Sequence, residues 1–200
     1  IYEVYKTLAI TAVLVVAVLF LFLGNLRATI VPAVTVPVSL TAAFAVLLIL
    51  DFSINLLTLL ALILAIGMVV DDAIVVLENI FRRIQLGEPP LMAALRGARQ
   101  VGFAVIATTL VLVAVFVPIT FMQGNTGRLF SEFAIALAAA VCFSSMVALT
   151  LSPMLSSRVL RRHGQEGRFE QRVEKVFTWL SDGYARLLHG VHNARWLMIL

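Results

Sequence analysis

Five long apolar runs decide what this chain can fold into. They lie at about residues 8–24, 30–50, 56–79, 101–122 and 132–155. A helix rises about 1.5 Å per residue, so about 20 apolar residues cross a hydrocarbon core of about 30 Å. Hydrophobic residues make up 62% of the chain and charged ones 13%, against about 45–50% and about 25% in soluble domains. A chain of 200 residues cannot bury that much apolar surface in a soluble core, so its solvent is lipid. Closed barrels are the other spanning solution, but their strands alternate with period two, and these runs do not. The expected fold is therefore an all-α integral membrane protein, a transmembrane helix bundle.

The segments between the runs differ in charge. Residues 24–29 carry Arg27, and residues 80–100 carry Arg82, Arg83, Arg96 and Arg99. Residues 156–194 carry Arg158, Arg161, Arg162, Arg168, Arg172, Lys175 and Arg186, with Arg195 beside them. Residues 51–55 have no cation. Of the 15 Lys and Arg, only Lys6 and Arg128 then fall on the opposite side. The positive-inside rule makes loops 24–29, 80–100 and 156–194 cytoplasmic. The net charge of +4 thus reflects topology. It does not indicate nucleic acid, because no basic stripe lies beside stacking aromatics. Within the last loop, Phe169, Val173, Val176, Phe177, Leu180, Tyr184 and Leu188 recur at helical spacing among charged residues. That pattern predicts an amphipathic helix over about 168–188, lying in the cytoplasmic membrane interface or packed on a neighbouring element. Ser131 is the expected N-cap of the fifth run, with Glu132 in its first turn, and a further span begins at 195–200. Ile1 to Lys6 has no initiator Met or basic leader, and the chain stops inside an apolar run. Both features suggest an internal piece of a longer protein. The single cysteine, Cys142, implies neither a disulfide framework nor a metal site.

Asp71 and Asp72 stand inside the third run. One Asp at the centre of a spanning helix costs about 2.5–3.5 kcal/mol, and an ionisable group at that depth is functional by default. Two adjacent carboxylates with no cation resist being charged together, through repulsion and lost hydration. A buried acid that gains and loses a proton is what a proton carrier needs. A buried salt bridge is the structural alternative, but no run here holds a central Lys or Arg. Other carboxylate chemistries fail on spacing. An Asp-Asp-x-x-Asp magnesium array would need Asp where Val75 stands. An intramembrane aspartyl protease needs its two Asp on separate helices. A metal needs more oxygen ligands than two neighbours supply. No enzyme chemistry and no metal are therefore expected. Gly67, one turn earlier and with Ala61 and Ala65 expected near the same face, either lets a helix pack closely or gives a partner access to the carboxylates. Glu78 and Asn79 lie one to two turns later. Glu78 is either a surface residue at the helix end or part of a proton exit path.

The stretch Gly67-Met-Val-Val-Asp71-Asp72-Ala-Ile-Val-Val-Leu-Glu78-Asn79 resembles the fourth-helix motif of resistance-nodulation-division (RND) transporters, Gly-x3-Asp-x6-Glu. The double Asp is similar to the hydrophobe/amphiphile multidrug efflux branch. Leu23-Gly-Asn-Leu-Arg-Ala-Thr29, Phe52-Ser-Ile-Asn55, Val115-Phe-Val-Pro-Ile119 and Leu151-Ser-Pro153 resemble that branch in the same order. The resemblance implies the second to sixth of twelve spanning helices, then the interfacial helix and the start of the seventh. It implies a homotrimer in the bacterial inner membrane, working with a periplasmic membrane-fusion adaptor and an outer-membrane channel. It implies drug/proton antiport of small hydrophobic or amphiphilic compounds, driven by the proton-motive force without a cofactor. Asp71 and Asp72 would form the proton relay with a Lys and other polar residues on later helices, and Gly67, Glu78 and Asn79 would be accessory. An RND relative that exports metal ions or lipids, or a non-transporting scaffold of the same fold, are the alternatives.

Overall fold

The computed structural model describes residues 2–160. The side chains of residues 2–5 and of Phe22, Asn125 and Arg128 lie outside that description. The interfacial helix expected over 168–188 and the span expected from 195 also lie outside the described residues. Five helices follow one another: α1 (Tyr2–Leu23), α2 (Leu26–Ile49), α3 (Leu56–Gln85), α4 (Pro90–Phe116) and α5 (Gly124–Val159). A short 3-10 helix, Val117–Phe121, joins α4 to α5. No strand occurs among the described residues, and the fold is an all-α membrane helix bundle. Leu26–Ile49, Leu56–Gln85, Pro90–Phe121 and Leu129–Val159 are long and apolar enough to cross a membrane. Lys6–Leu21 is a shorter apolar helix.

Local chemistry sets the helix ends. Asn25 caps α2, its Oδ1 accepting from the Arg27 and Ala28 amides. Asn55 caps α3 in a reciprocal box with Thr58, which satisfies otherwise orphaned donors. The far end of α3 closes at Gly87, whose φ of 92° suits a residue without a Cβ. There the Gly87 amide donates to Ile84 O and the Glu88 amide to Arg83 O, a Schellman closure. Pro90 stands at the start of α4, where its missing N–H costs nothing.

The helices reach beyond the apolar runs. α4 begins at Pro90, although its apolar run starts at 101. Most of the expected loop 80–100 is therefore helical, and only a short elbow separates α3 from α4. α5 begins at Gly124, so Ser131, which stands where a cap is expected from sequence, lies inside the helix. Hydropathy reports the length in lipid, whereas capping and backbone geometry set where a helix ends. Pro118 marks one such stop. Its missing N–H removes one bond of the α ladder, and here the backbone tightens into the 3-10 turn, whereas Pro32 and Pro37 are carried within α2 and Pro153 within α5.

α5 is the hub, packed against α2, α3, α4 and the 3-10 helix. Every fourth residue of its buried face is small: Ala136, Ala140, Ser144, Ala148, Ser152 and Ser156. Lipid tails are as apolar as leucine, so association in a bilayer relies on close contact, which small residues permit. One core cluster joins Leu40, Leu47, Leu62, Ile66, Val69 and Leu137. A second joins Val31, Leu77, Ile80, Ile84, Val105 and Ala148. Asp71 and Asp72 stand on α3 where the first cluster gives way to the second. α4 is peripheral, with Phe103 85% exposed and Leu110, Val111 and Val115 also open, a surface suited to lipid.

The bend into α5 depends on Gly127. A Cβ there would overlap the Met122 carbonyl, a backbone group that cannot rotate away. Gly127→Ala is expected to cost about 1–3 kcal/mol through this overlap. Gly102→Ala, whose Cβ would make an ordinary contact with Leu149, serves as control. Thermal unfolding of the purified protein should separate the two. Equal midpoints would show that the bend is not held as described.

Candidate functional site

One face of α3 is left open by the described residues. Leu60, Leu64, Gly67, Asp71, Val75, Glu78 and Arg82 are all exposed, and their three- and four-residue spacing draws a single stripe along the helix. The opposite face, including Ala61, Leu62, Ala65, Ile66, Val69 and Ala73, is fully packed. Ala61 and Ala65, expected near the face of Gly67, belong to this packed side. A Cβ added at Gly67 would meet nothing within 4 Å. Gly67 therefore makes no close helix contact among the described residues and leaves the ground beside Asp71 open.

The two carboxylates diverge because consecutive helical residues lie about 100° apart. Asp71 sits on the open stripe, while Asp72 is half-buried against α5. Ser144 Oγ lies 2.9 Å from Asp72 Oδ2 and 3.2 Å from the Val69 carbonyl oxygen. A hydroxyl has one proton and can accept as well. With Asp72 ionised, Ser144 donates to the carboxylate. With Asp72 protonated, the acid can donate to Ser144, which turns its own proton to Val69 O. The serine can thus follow either protonation state without moving a helix. Among the described residues neither Asp71 nor Asp72 makes an ion pair, so the pair has no internal counter-charge.

The accessory residues separate. Glu78 is on the open stripe two turns beyond Asp71, a rise of about 10 Å. Asn79 turns to α4, where its Nδ2 donates to Gly97 O at 2.8 Å and Gln100 Oε1 at 3.3 Å. It therefore joins α3 to α4, and the structure does not bring it to the carboxylates. The joint is close, since a Cβ at Gly97 would lie 2.9 Å from Ile80 Cγ1.

Two polar residues make contacts that their local sequence does not show. Ser144 is 2% exposed and is the direct partner of Asp72. Its only sequence signal is the polar pair Ser144-Ser145 inside an apolar run. Glu132, expected as a first-turn residue favouring a helix N-terminus, is instead buried well inside α5 with 6% exposure. Its Oε2 accepts from Asn55 Nδ2 at 2.6 Å and Ser53 Oγ at 3.1 Å. Because Asn55 also caps α3, Glu132 ties α5 to the N-terminus of the helix that carries the aspartates. The favourable dipole contact expected of Glu132 is thus made with α3 rather than α5.

Compared with known proteins, the chain matches the AcrB/AcrD/AcrF family over residues 1–200.

Proposed function

The chain belongs to the AcrB/AcrD/AcrF family of RND transporters, and on that premise we propose that it carries one half of a proton relay in a proton-driven efflux pump. The observation that supports this best is the open stripe of α3, which presents a carboxylate at membrane depth beside an uncovered glycine. Lipid does not solvate a charged Asp. The stripe instead suits a polar helix from the rest of the transporter, with a cation facing Asp71. Ionised Asp71 and Asp72 attract that cation. Protonation weakens the attraction, and α3 shifts relative to its partner. The ties from Asn55 to Glu132 and from Asn79 to Gly97 carry α4 and α5 with it. In a membrane potential, each proton that crosses supplies about 2.3 kcal/mol per 100 mV.

In this reading the protein works in the bacterial inner membrane as a homotrimer and belongs to the hydrophobe/amphiphile branch. The 200 residues are an internal piece of it, and the arginine-rich loops face the cytoplasm. A periplasmic adaptor and an outer-membrane channel receive small hydrophobic or amphiphilic compounds from domains outside this piece.

The deciding experiment places the full-length transporter in liposomes with an imposed pH gradient. A hydrophobic dye should be exported only while the gradient lasts, with protons moving the opposite way. Export that survives a protonophore would remove the relay reading.

A further inference from the structure

The arginines that end α3 take no part in the relay, and they border a cavity. A cleft of about 190 Å³ at the α3–α4 elbow is lined by Asn79, Arg82, Arg83, Leu86 and Gln100. One water occupies about 30 Å³ in the liquid, so the cleft has room for a phosphate group with carbon attached.

The groups on its wall are mainly hydrogen-bond donors. Arg82 is exposed and has no carboxylate partner among the described residues. Arg83 gives Nη1 to Glu88 and Nη2 to Gln100 Oε1, each at 2.8 Å. Its Nε is buried and meets no acceptor among the described residues. An unmet buried donor is costly, more so on a charged group. Gln100 accepts through its oxygen from both Arg83 and Asn79, which leaves its NH2 group to donate. Glu88 does not line the cleft and is shared between Arg83 and Arg96. The elbow holds Arg82, Arg83, Arg96 and Arg99 against Glu78 and Glu88, an excess of positive charge.

Depth identifies the source of the anion. Gly67 stands near the middle of the apolar part of α3. At about 1.5 Å per residue, Asn79 and Arg83 lie about 18 Å and 24 Å beyond it. Half a bilayer is about 15 Å of hydrocarbon and about 20–22 Å with headgroups. The cleft therefore opens at phosphate level. Leu86, 77% exposed, adds an apolar wall. Basic pockets between helices at this level suit acidic lipid headgroups.

We propose that the α3–α4 elbow binds the phosphodiester headgroup of an anionic phospholipid. Arg82 holds the phosphate oxygens, the Arg83 guanidinium adds its charge from the wall behind, Gln100 donates alongside them, and Leu86 meets the glycerol end. The excess positive charge disfavours headgroups that carry an ammonium. This inference needs only that the chain spans a membrane, so it stands or falls apart from proton coupling.

Native mass spectrometry of the full-length protein tests it, with dioleoylphosphatidylglycerol, dioleoylphosphatidylethanolamine and inorganic phosphate as probes. The anionic lipid should be retained over the zwitterionic one by at least about fivefold, the worth of one interfacial arginine. The double variant Arg82→Gln, Arg83→Gln should lose that preference, while Arg158→Gln at the end of α5 keeps it. Should the double variant not fold, Arg82→Gln alone, at an exposed position, should lower the preference about fivefold. Millimolar phosphate should leave the lipid bound. Undiminished preference in the arginine variants would overturn the proposal. So would equal retention of both lipids, or displacement by phosphate, which would mark a site for soluble phosphate.

Discussion

Asp71→Asn and Asp72→Asn, each made in the full-length transporter, are expected to lower export by more than about a hundredfold, a barrier increase of about 2.7 kcal/mol. The amide keeps the size of the carboxylate, and at position 72 it can still accept from Ser144 Oγ. What it loses is the ability to exchange a proton, so packing survives and coupling does not. Asp71 faces the open stripe, where a counter-charge must come from outside the described residues. Asp72 faces Ser144 on α5. If the two act as a unit, the double variant should be little worse than either single one, because the loss is not additive. Ser144→Ala should be milder. It removes one hydrogen bond to a charged group, worth about 1.5–3 kcal/mol, and leaves both acids able to titrate. Export is measured as dye efflux in cells, with trimer formation followed by size-exclusion chromatography. Normal export by either asparagine variant, with the protein assembled, would end the relay assignment.

The second large effect concerns packing. Ala140→Leu is expected to lower the thermal midpoint sharply or prevent assembly of the bundle. Ala140 is fully buried in the small-residue stripe of α5. Three extra carbons at that position force α5 away from its neighbours, at a cost of about 1–3 kcal/mol or more. In water the larger side chain would recover some of that through apolar burial. In lipid it recovers almost nothing, since leucine is as well solvated by acyl chains as by protein. Ala140→Ser, close in size, should stay within about 1 kcal/mol, on the scale of helix propensity. Met146→Leu, on the exposed side of the same helix, should be neutral. Thermal unfolding in detergent reads all three. If Ala140→Leu melts with the parent, α5 is not held through this stripe.

The Ser144–Asp72 contact depends on that packing. The stripe lets α5 approach α3 closely enough for a serine to reach both Asp72 and the Val69 carbonyl. In sequence, Ser144 is one of several serines in an apolar run, and 72 residues separate it from Asp72. Glu132 poses the same problem. Its carboxylate meets Asn55 across 77 residues, so a first-turn role in its own helix is the natural local reading. The helix starts depart from the apolar runs for a different reason. Pro90 and Gly124 begin helices outside the lipid-length windows, where capping and backbone geometry decide and hydropathy is silent.

The sequence alone determined the membrane, the helical class, the distribution of positive charge and the singular position of Asp71 and Asp72. Each of these follows from a transfer cost that a residue carries with it wherever its helix packs. Apolar runs of spanning length have one solvent, and a carboxylate inside one is expensive in any arrangement. Only the tertiary structure decided that Asp71 opens outward while Asp72 turns to Ser144. It alone placed Glu132 on the cap of α3, moved Asn79 to the α4 joint and gathered Arg82, Arg83 and Gln100 around one cleft. Those outcomes depend on the rotation and approach of helices, which small side chains distant in sequence set through close contact.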